Sequence, residues 1–424
     1  MNAWFVSMLM AITSLQQVSR TPPDTTARGA YLARAGDCTG CHTVQGGQPF
    51  AGGQPIGTPI GSVISTNITP DLDTGIGRYS SDDFVKVMRE GVAKDGHHLY
   101  PAMPYPSYVK LSQADLLDLY TYFMQGVEPV RQPNRATKLS WPLSVRSLMA
   151  VWNAIYLKKG EYAADSSQSS SWNRGAYMVQ GLGHCGACHT PRGIAGQEKA
   201  GRHFLAGATL DNWQAYPLTG DRATGLHAWS KEEIVEFLKT GRTARVAALA
   251  VMGGVVSKST QYLTDQDLLA MAEYLKALPP SHSGGLATAD STPTIGDSSA
   301  ATSALRAGDT GMRGSRVYLD NCNACHRSDG AGASRTFANL AKNEAVNAKD
   351  PISLIHIVLS GSSMPQTKMA PTAFAMPAFG ERLSDEDVAE VLTFIRENWG
   401  NHAAEVSRHQ VGRVRKALAK EKAE

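Results

Sequence analysis

The chain of 424 residues has six cysteines, and no cysteine falls outside three short strings. A disulfide framework needs cysteines to spare, and none are. Nothing approaches the roughly 18 consecutive apolar residues of a membrane-spanning helix. The N-terminal "AWFVSMLMAITSL" (3–15) has only the length of a signal-peptide core and lacks a basic flank, the first Lys or Arg being Arg20. Net charge is +3, too small and too dispersed to argue for nucleic acid. The glycines of "GGQPFAGGQPIG" (46–57) open no helix, so they are no dinucleotide fingerprint. Neither paired carboxylates nor a nucleophile beside a base can be picked out, and no catalytic residue is assigned. Aromatic residues make up only 7%, few for the cores that a 42% hydrophobic chain should build.

What is present is a motif used three times: "CTGCH" (38–42), "CGACH" (185–189) and "CNACH" (322–326). A four-cysteine zinc site would use two pairs and orphan the third. A thioredoxin-like redox pair needs no histidine after it. Cys-x-x-Cys-His fits c-type haem attachment each time. Cys38, Cys41, Cys185, Cys188, Cys322 and Cys325 then bond three haems covalently. His42, His189 and His326 are the proximal iron ligands. The haem also explains the shortage of aromatics, since it is the largest apolar group of such a core.

The length suggests about three domains, and the motifs lie roughly 140 residues apart, in agreement with that size. Three blocks recur. "RGAYLARAGD" (28–37) and "RGAYMVQGLGH" (174–184) precede the first two motifs and "GSRVYLDN" (314–321) the third. Each reads as a helix with Tyr31, Tyr177 or Tyr318 on its apolar face. "GIGRYSSDDFVKVMREG" (75–91) aligns on "GLHAWSKEEIVEFLKTG" (225–241), with capping boxes at Ser80/Asp83 and Ser230/Glu233 and terminal Gly91 and Gly241. The third unit keeps "LIHIVLSG" (354–361). Terminal helices start after Leu111, Leu263 and Leu383 with N-cap candidates Ser112, Thr264 and Ser384.

The expected fold is all-α, three class I cytochrome c-like domains in tandem. An export signal or leader occupies 1–22, followed by domain 1 at 23–135. An apolar, then Ser-rich connector (136–172) leads to domain 2 at 173–279. A flexible linker (280–306) leads to domain 3 at 307–402, and a charged tail (403–424) ends the chain. The apolar piece of the connector, "WPLSVRSLMAVWNAIYL" (141–157), is expected to pack on a domain or a partner.

Each iron needs a further axial ligand, and Met raises the potential. Met103, Met252 and Met376 precede the three terminal helices. Met364 and Met369 compete in the third unit, as do His97 and His98 in the first. His356 lies mid-helix, where a satisfied histidine is the ordinary case.

"RGAYLARAGDCTGCHT", "PFAGGQPIGTPIGSVISTNITPD", "GIGRYSSDDF" and "LYPAMPYPSY" together resemble the tri-haem cytochrome c subunits of bacterial membrane-associated dehydrogenases. "GHCGACHTPRG" (183–193) and "FIRENWGN" (394–401) extend the likeness across nearly all the chain. The resemblance implies three covalent haems with Met ligands, carried onto Met103, Met252 and Met376. It implies an electron relay without substrate chemistry of its own. The donor would be a flavin, pyrroloquinoline quinone or molybdenum dehydrogenase acting on gluconate or another sugar acid, an alcohol or an aldehyde. The acceptor would be ubiquinone or a terminal oxidase, and the place the periplasm, at the outer face of the inner membrane. The basic C-terminus, including Arg413 and Arg415, can touch anionic lipid or be a solvated tail. The competing reading is a peroxidase-like haem enzyme with one open iron, at the position of Met252.

Overall fold

A computed structural model of the chain describes residues 24–58, 60–210, 212–221, 225–281 and 300–423. The expected leader lies outside the described residues, as does most of the expected linker. In the first unit the helices are α1 (Thr25–Ala35), α2 (Ser81–Glu90) and α3 (Gln113–Gln125), and the connector forms α4 (Leu148–Tyr156). The second unit has α5 (Ser170–Tyr177), α6 (Lys231–Thr240), α7 (Ala250–Lys258) and α8 (Asp265–Ala277). The third has α9 (Ala300–Ala307), α10 (Ser315–Asn321), α11 (Ile352–Ser360), α12 (Asp385–Glu397) and α13 (Arg408–Ala423).

Local chemistry sets the helix ends. Ser80 with Asp83, Ser230 with Glu233 and Ser384 with Asp387 form reciprocal capping boxes. Ser112 and Thr264 each accept from the backbone N–H three residues on. Gly91 and Gly241 close α2 and α6 in the left-handed region, at φ 62° and 71°.

The helix before each motif crosses the terminal helix of its unit: α1 on α3, α5 on α8, α10 on α12. The crossings are too tight for a side chain. A Cβ on Gly29 would stand 2.1 Å from the Asp118 carbonyl oxygen, one on Gly175 1.9 Å from that of Ala270, and one on Gly314 2.2 Å from that of Glu390. Each of the repeated strings has one of these glycines at or next to its start, and backbone contact is their common reason.

The second unit has one more residue between its Arg and its first Cys than the first unit has. A π turn at Met178–Leu182, just before the motif, takes up an extra residue of this kind.

The expectation of an all-α chain needs correcting. The loops fold back as short antiparallel ribbons: β1 (Pro55–Thr58), β2 (Gly61–Ile64) and β3 (Lys138–Leu139) in one sheet, β4 (Ala208–Leu210) with β5 (Trp213–Ala215), and β6 (Ser362–Ser363) with β7 (Ala375–Met376). In each the backbone groups pair instead of staying bare, and β3 joins β2 from beyond the terminal helix of the first unit.

One apolar core runs through the first and second units without a break, from Leu32 and Phe84 to Met178, Trp229 and Leu268. Tyr318, Val391, Phe394 and Trp399 belong to a second core in the third unit. The junction of the first two units is near-symmetric. Tyr31 donates its hydroxyl to Asp267 (2.5 Å) and Tyr177 donates to Asp115 (2.5 Å). Arg174 holds Asp267, and Arg28 holds Asp115 and Asp118. Tyr31 and Tyr177 thus send their polar tips into the neighbouring unit. Tyr318, fully buried, donates within its own unit to the Arg327 carbonyl (2.8 Å).

Two expected segment types change. Residues 300–306, assigned to the linker, form nearly all of α9, with Ala301 and Leu305 buried in the third core. The charged tail is largely helical. In α13, Val411 and Val414 are buried in the same core and Arg415 pairs with Asp385 (2.7 Å). The apolar connector packs α4 onto the body through Trp152.

Candidate functional site

Each motif makes about one helical turn, at Cys38–His42, Gly186–His189 and Asn323–His326. One turn puts both thiols and the histidine on adjoining faces. Asp37 and His184 occupy the residue before the first Cys in their units, at φ 48° and 37°, and bend the chain into the turn. Burial pushes the Cys38, Cys185 and Cys322 thiols up to about 12 and Cys41 to about 11. A nucleophilic redox cysteine has a lowered value, and burial moves these thiols the opposite way. Among the described residues no group of three or more His, Cys, Asp or Glu is arranged to hold a metal ion.

The histidines are held alike. His42 Nδ1 lies 2.7 Å from the Thr66 carbonyl oxygen, His189 Nδ1 2.7 Å from that of Tyr216, and His326 Nδ1 2.9 Å from that of Ala338. A carbonyl only accepts, so Nδ1 carries the proton and donates. Nε2 is left with its lone pair free. Burial lowers all three histidines from their ordinary value, which keeps the rings neutral, the form that binds a metal. The donor set therefore fits a covalently attached haem at each motif: two unbridged thiols beside an imidazole with a fixed tautomer.

The three carbonyls carry no side-chain signature, and the sequence had no means of naming them. A second device had a visible signal. Thr43 and Thr190 directly follow their histidines, and each hydroxyl accepts from the returning loop, from the Phe50 N–H and the Leu205 N–H at 3.0 Å. The third motif has Arg327 there instead, at φ 64°.

The methionines divide by surroundings. Met103 sits in the turn before Tyr105, and Met252 in the first turn of α7. Both pack on the shared core, as Cys38 and Cys185 do. Met252 is thus helical, not in a loop. Met376 lies in β7 and packs on the third core, as does Cys322. Met364 is buried elsewhere, along a groove bordered by Arg242 and Arg335 at the boundary of the second and third units. Met369 is 71% exposed. His97 is exposed, with Nδ1 on Asp95 (2.6 Å), and His98 is half-buried, its carbonyl accepting from Arg146 (3.2 Å). His356 is buried, lies 4.0 Å from the Trp213 ring and has Nδ1 3.3 Å from the Asn212 carbonyl. It seals the second unit against the third.

A family model for cytochrome c matches residues 26–126 and 311–399, which contain the first and third motifs. The chain is 49% identical over 399 residues to the cytochrome c subunit of gluconate 2-dehydrogenase from Pantoea cypripedii, covering 92% of this chain and 89% of that protein. It is 46% identical over 383 residues to the cytochrome c subunit of a quinone-dependent alcohol dehydrogenase from Gluconobacter oxydans, with 89% and 79% covered. The cytochrome subunit of fructose dehydrogenase from Gluconobacter japonicus is 35% identical over 430 residues, with 96% and 87% covered. The chain belongs to the family of dehydrogenase cytochrome c subunits. As a member it carries covalent c-type haem and transfers electrons. It is the electron-transfer component of a dehydrogenase complex and not the catalytic subunit. The peroxidase-like alternative finds no support among these relatives.

The first two sites of this cytochrome are neighbours. The Cys188 thiol contributes to the upward shift of Cys41 across the unit boundary. Tyr108 donates to the Gly36 carbonyl (3.0 Å), and the His184 ring packs edge-on against Tyr108.

Proposed function

We propose that this cytochrome carries three haems, one per repeated unit, and relays electrons from a catalytic dehydrogenase subunit to a respiratory acceptor. The observation that supports this best is the threefold recurrence of one arrangement: a cysteine pair followed by a half-buried histidine whose Nδ1 is committed to a backbone carbonyl. Cys38 and Cys41, Cys185 and Cys188, and Cys322 and Cys325 bond the haems. His42, His189 and His326, together with Met103, Met252 and Met376, would hold the irons. Bound haem supplies a reversible one-electron iron couple, and His/Met ligation sets it at the higher potentials suited to electron transfer. The chain's part is to fix each imidazole, present each thioether and exclude water. Three tandem class I units bounded as 23–135, 173–279 and 307–402 hold the sites, with α9 and α13 added to the third.

The donor is a catalytic subunit of flavin, pyrroloquinoline quinone or molybdenum type. Relatives named for gluconate and for alcohol dehydrogenases support gluconate, a related sugar acid or an alcohol as what it oxidises. The acceptor is ubiquinone or a terminal oxidase, and the complex works in the periplasm at the outer face of the inner membrane. The test mixes purified cytochrome with the catalytic subunit of a gluconate or alcohol dehydrogenase and follows the reduced-haem bands. Substrate should reduce the cytochrome only when both proteins are present. Substrate oxidation by the cytochrome alone, with an artificial dye, refutes the proposal.

A further inference from the structure

We infer that the outer face of α4, together with the segment leading into it, binds an anionic phospholipid surface. This α-helix is apolar on both sides, with no charged residue from Ser147 to Leu157. Its inner face is used. Trp152 is buried 6.5 Å from the Tyr105 ring, and its indole N–H donates to the Ala195 carbonyl of the second unit (2.9 Å). Asn153 accepts from the Tyr105 hydroxyl (2.7 Å) and donates to the Glu90 carbonyl (2.9 Å). Among the described residues the outer face has no such partners. Leu148, Val151 and Ile155 fall at i, i+3 and i+7, a single stripe, with Val151 59% and Ile155 65% exposed. Trp141, 83% exposed, with Leu143 and Val145, continues the apolar surface on the approach to the helix. Isolated exposed hydrophobic residues are ordinary, but a contiguous stretch of them marks a contact surface.

Charge decides the occupant. Between residues 131 and 160 stand Arg131, Arg135, Lys138, Arg146, Lys158 and Lys159, with no Asp or Glu. The whole chain is close to balanced, with 41 basic and 38 acidic residues. Arg146 precedes the helix, and Lys158 and Lys159 follow it. Lys159 has only a 3.7 Å approach to Glu90, and Lys158 is exposed. An apolar stripe bracketed by cations, with an exposed Trp at its edge, suits a helix lying in the plane of an anionic headgroup layer. The core of a protein interface is instead poor in Lys. At nine residues α4 is far too short to span a bilayer.

The placement has a consequence for the relay, and that part rests on the proposed function. Tyr100 donates to the Leu143 carbonyl (2.9 Å), Arg146 lies over the Tyr100 ring, and Tyr105 meets Trp152. These residues flank Met103. A lipid surface on α4 would thus face the first site and bring it near a quinone dissolved in the membrane.

The test is co-sedimentation of the holoprotein with phosphatidylcholine vesicles, with and without phosphatidylglycerol. The protein should pellet with the anionic vesicles. Val151→Glu/Ile155→Glu should weaken the partition at least tenfold. Lys158→Gln/Lys159→Gln should weaken it by roughly tenfold or more, from the usual contribution of a basic residue at an anionic surface, and the loss should shrink at high salt. All four side chains are exposed, so both variants should keep the haem content and visible spectrum of the parent, which reports on the electron-carrier reading separately. Three results overturn the inference: parent protein that stays in the supernatant, equal partition of parent and variants, or variants that bind vesicles normally yet no longer co-purify with the catalytic subunit. The last would assign this face to the partner protein.

Discussion

Gly175→Ala tests whether the helix crossings are what hold the motifs in place. In an exposed helix this change stabilises, since Ala is favoured over Gly by about 1 kcal/mol. Here the new Cβ would stand 1.9 Å from the Ala270 carbonyl oxygen and 2.5 Å from its carbon. The obstacle is backbone, so no rotamer relieves it, and α5 and α8 must separate by more than an ångström. Overpacking of this kind costs about 1–3 kcal/mol, and a whole-helix displacement belongs at the upper end. After the gain in helix propensity, the net loss is about 1–2 kcal/mol. For a body of this size that lowers the midpoint by about 2–8 °C. Gly254→Ala is the matched control. Gly254 lies within α7 and has no atom within 4 Å of an added Cβ, so that variant should match or exceed the parent midpoint. Thermal unfolding followed by circular dichroism and by the haem absorption reads both. If Gly175→Ala melts with or above the parent, or the two variants behave alike, the crossing argument is wrong.

Other outcomes follow from the same geometry. Met376→Ala should convert one haem to a high-spin spectrum. Met364→Ala should leave all haems low-spin, because Met364 lines the boundary with the second unit; the opposite pattern reverses the assignment. Burial holds the Asp37 carboxyl up at about 7 against an ordinary 3.8, opposed only in part by Lys258 and the Gly40 N–H. The native state therefore keeps this proton to higher pH than the unfolded chain does, and the group's contribution falls as pH rises from about 4 to about 7. Asp37→Asn should melt progressively higher relative to the parent across that window, with the gap constant above pH 8. A gap independent of pH would show that Asp37 does not titrate as burial requires.

Much of this fold could be read along the chain, because its determinants are local. The caps at Ser80, Ser230 and Ser384 and the glycines at Gly91 and Gly241 each act within a few residues. The cysteine arithmetic needed no structure at all. The failures have physical causes. α13 was hidden by its own charge: Val411, Val414 and Leu418 sit at i, i+3 and i+7, but the surrounding Arg and Lys residues dominated the composition. α9 lies in an Ala- and Ser-rich stretch whose order comes from burying Ala301 and Leu305 in a distant core. Tyr31 and Tyr177 were placed on the right helices, yet their partners Asp267 and Asp115 lie in the other unit. The extra residue before Cys185 was visible as a difference in length, but only the backbone shows that a π turn takes it up. The carbonyls of Thr66, Tyr216 and Ala338 are beyond any sequence pattern, since every residue has one.

The most direct measurement is a redox titration of the purified chain followed in the visible and near-infrared, with covalent haem counted per polypeptide. The account predicts three haems, all low-spin, each with the weak near-infrared absorption of a Met sulfur on ferric iron. Fewer than three haems, or one high-spin component in the unmodified protein, would contradict it.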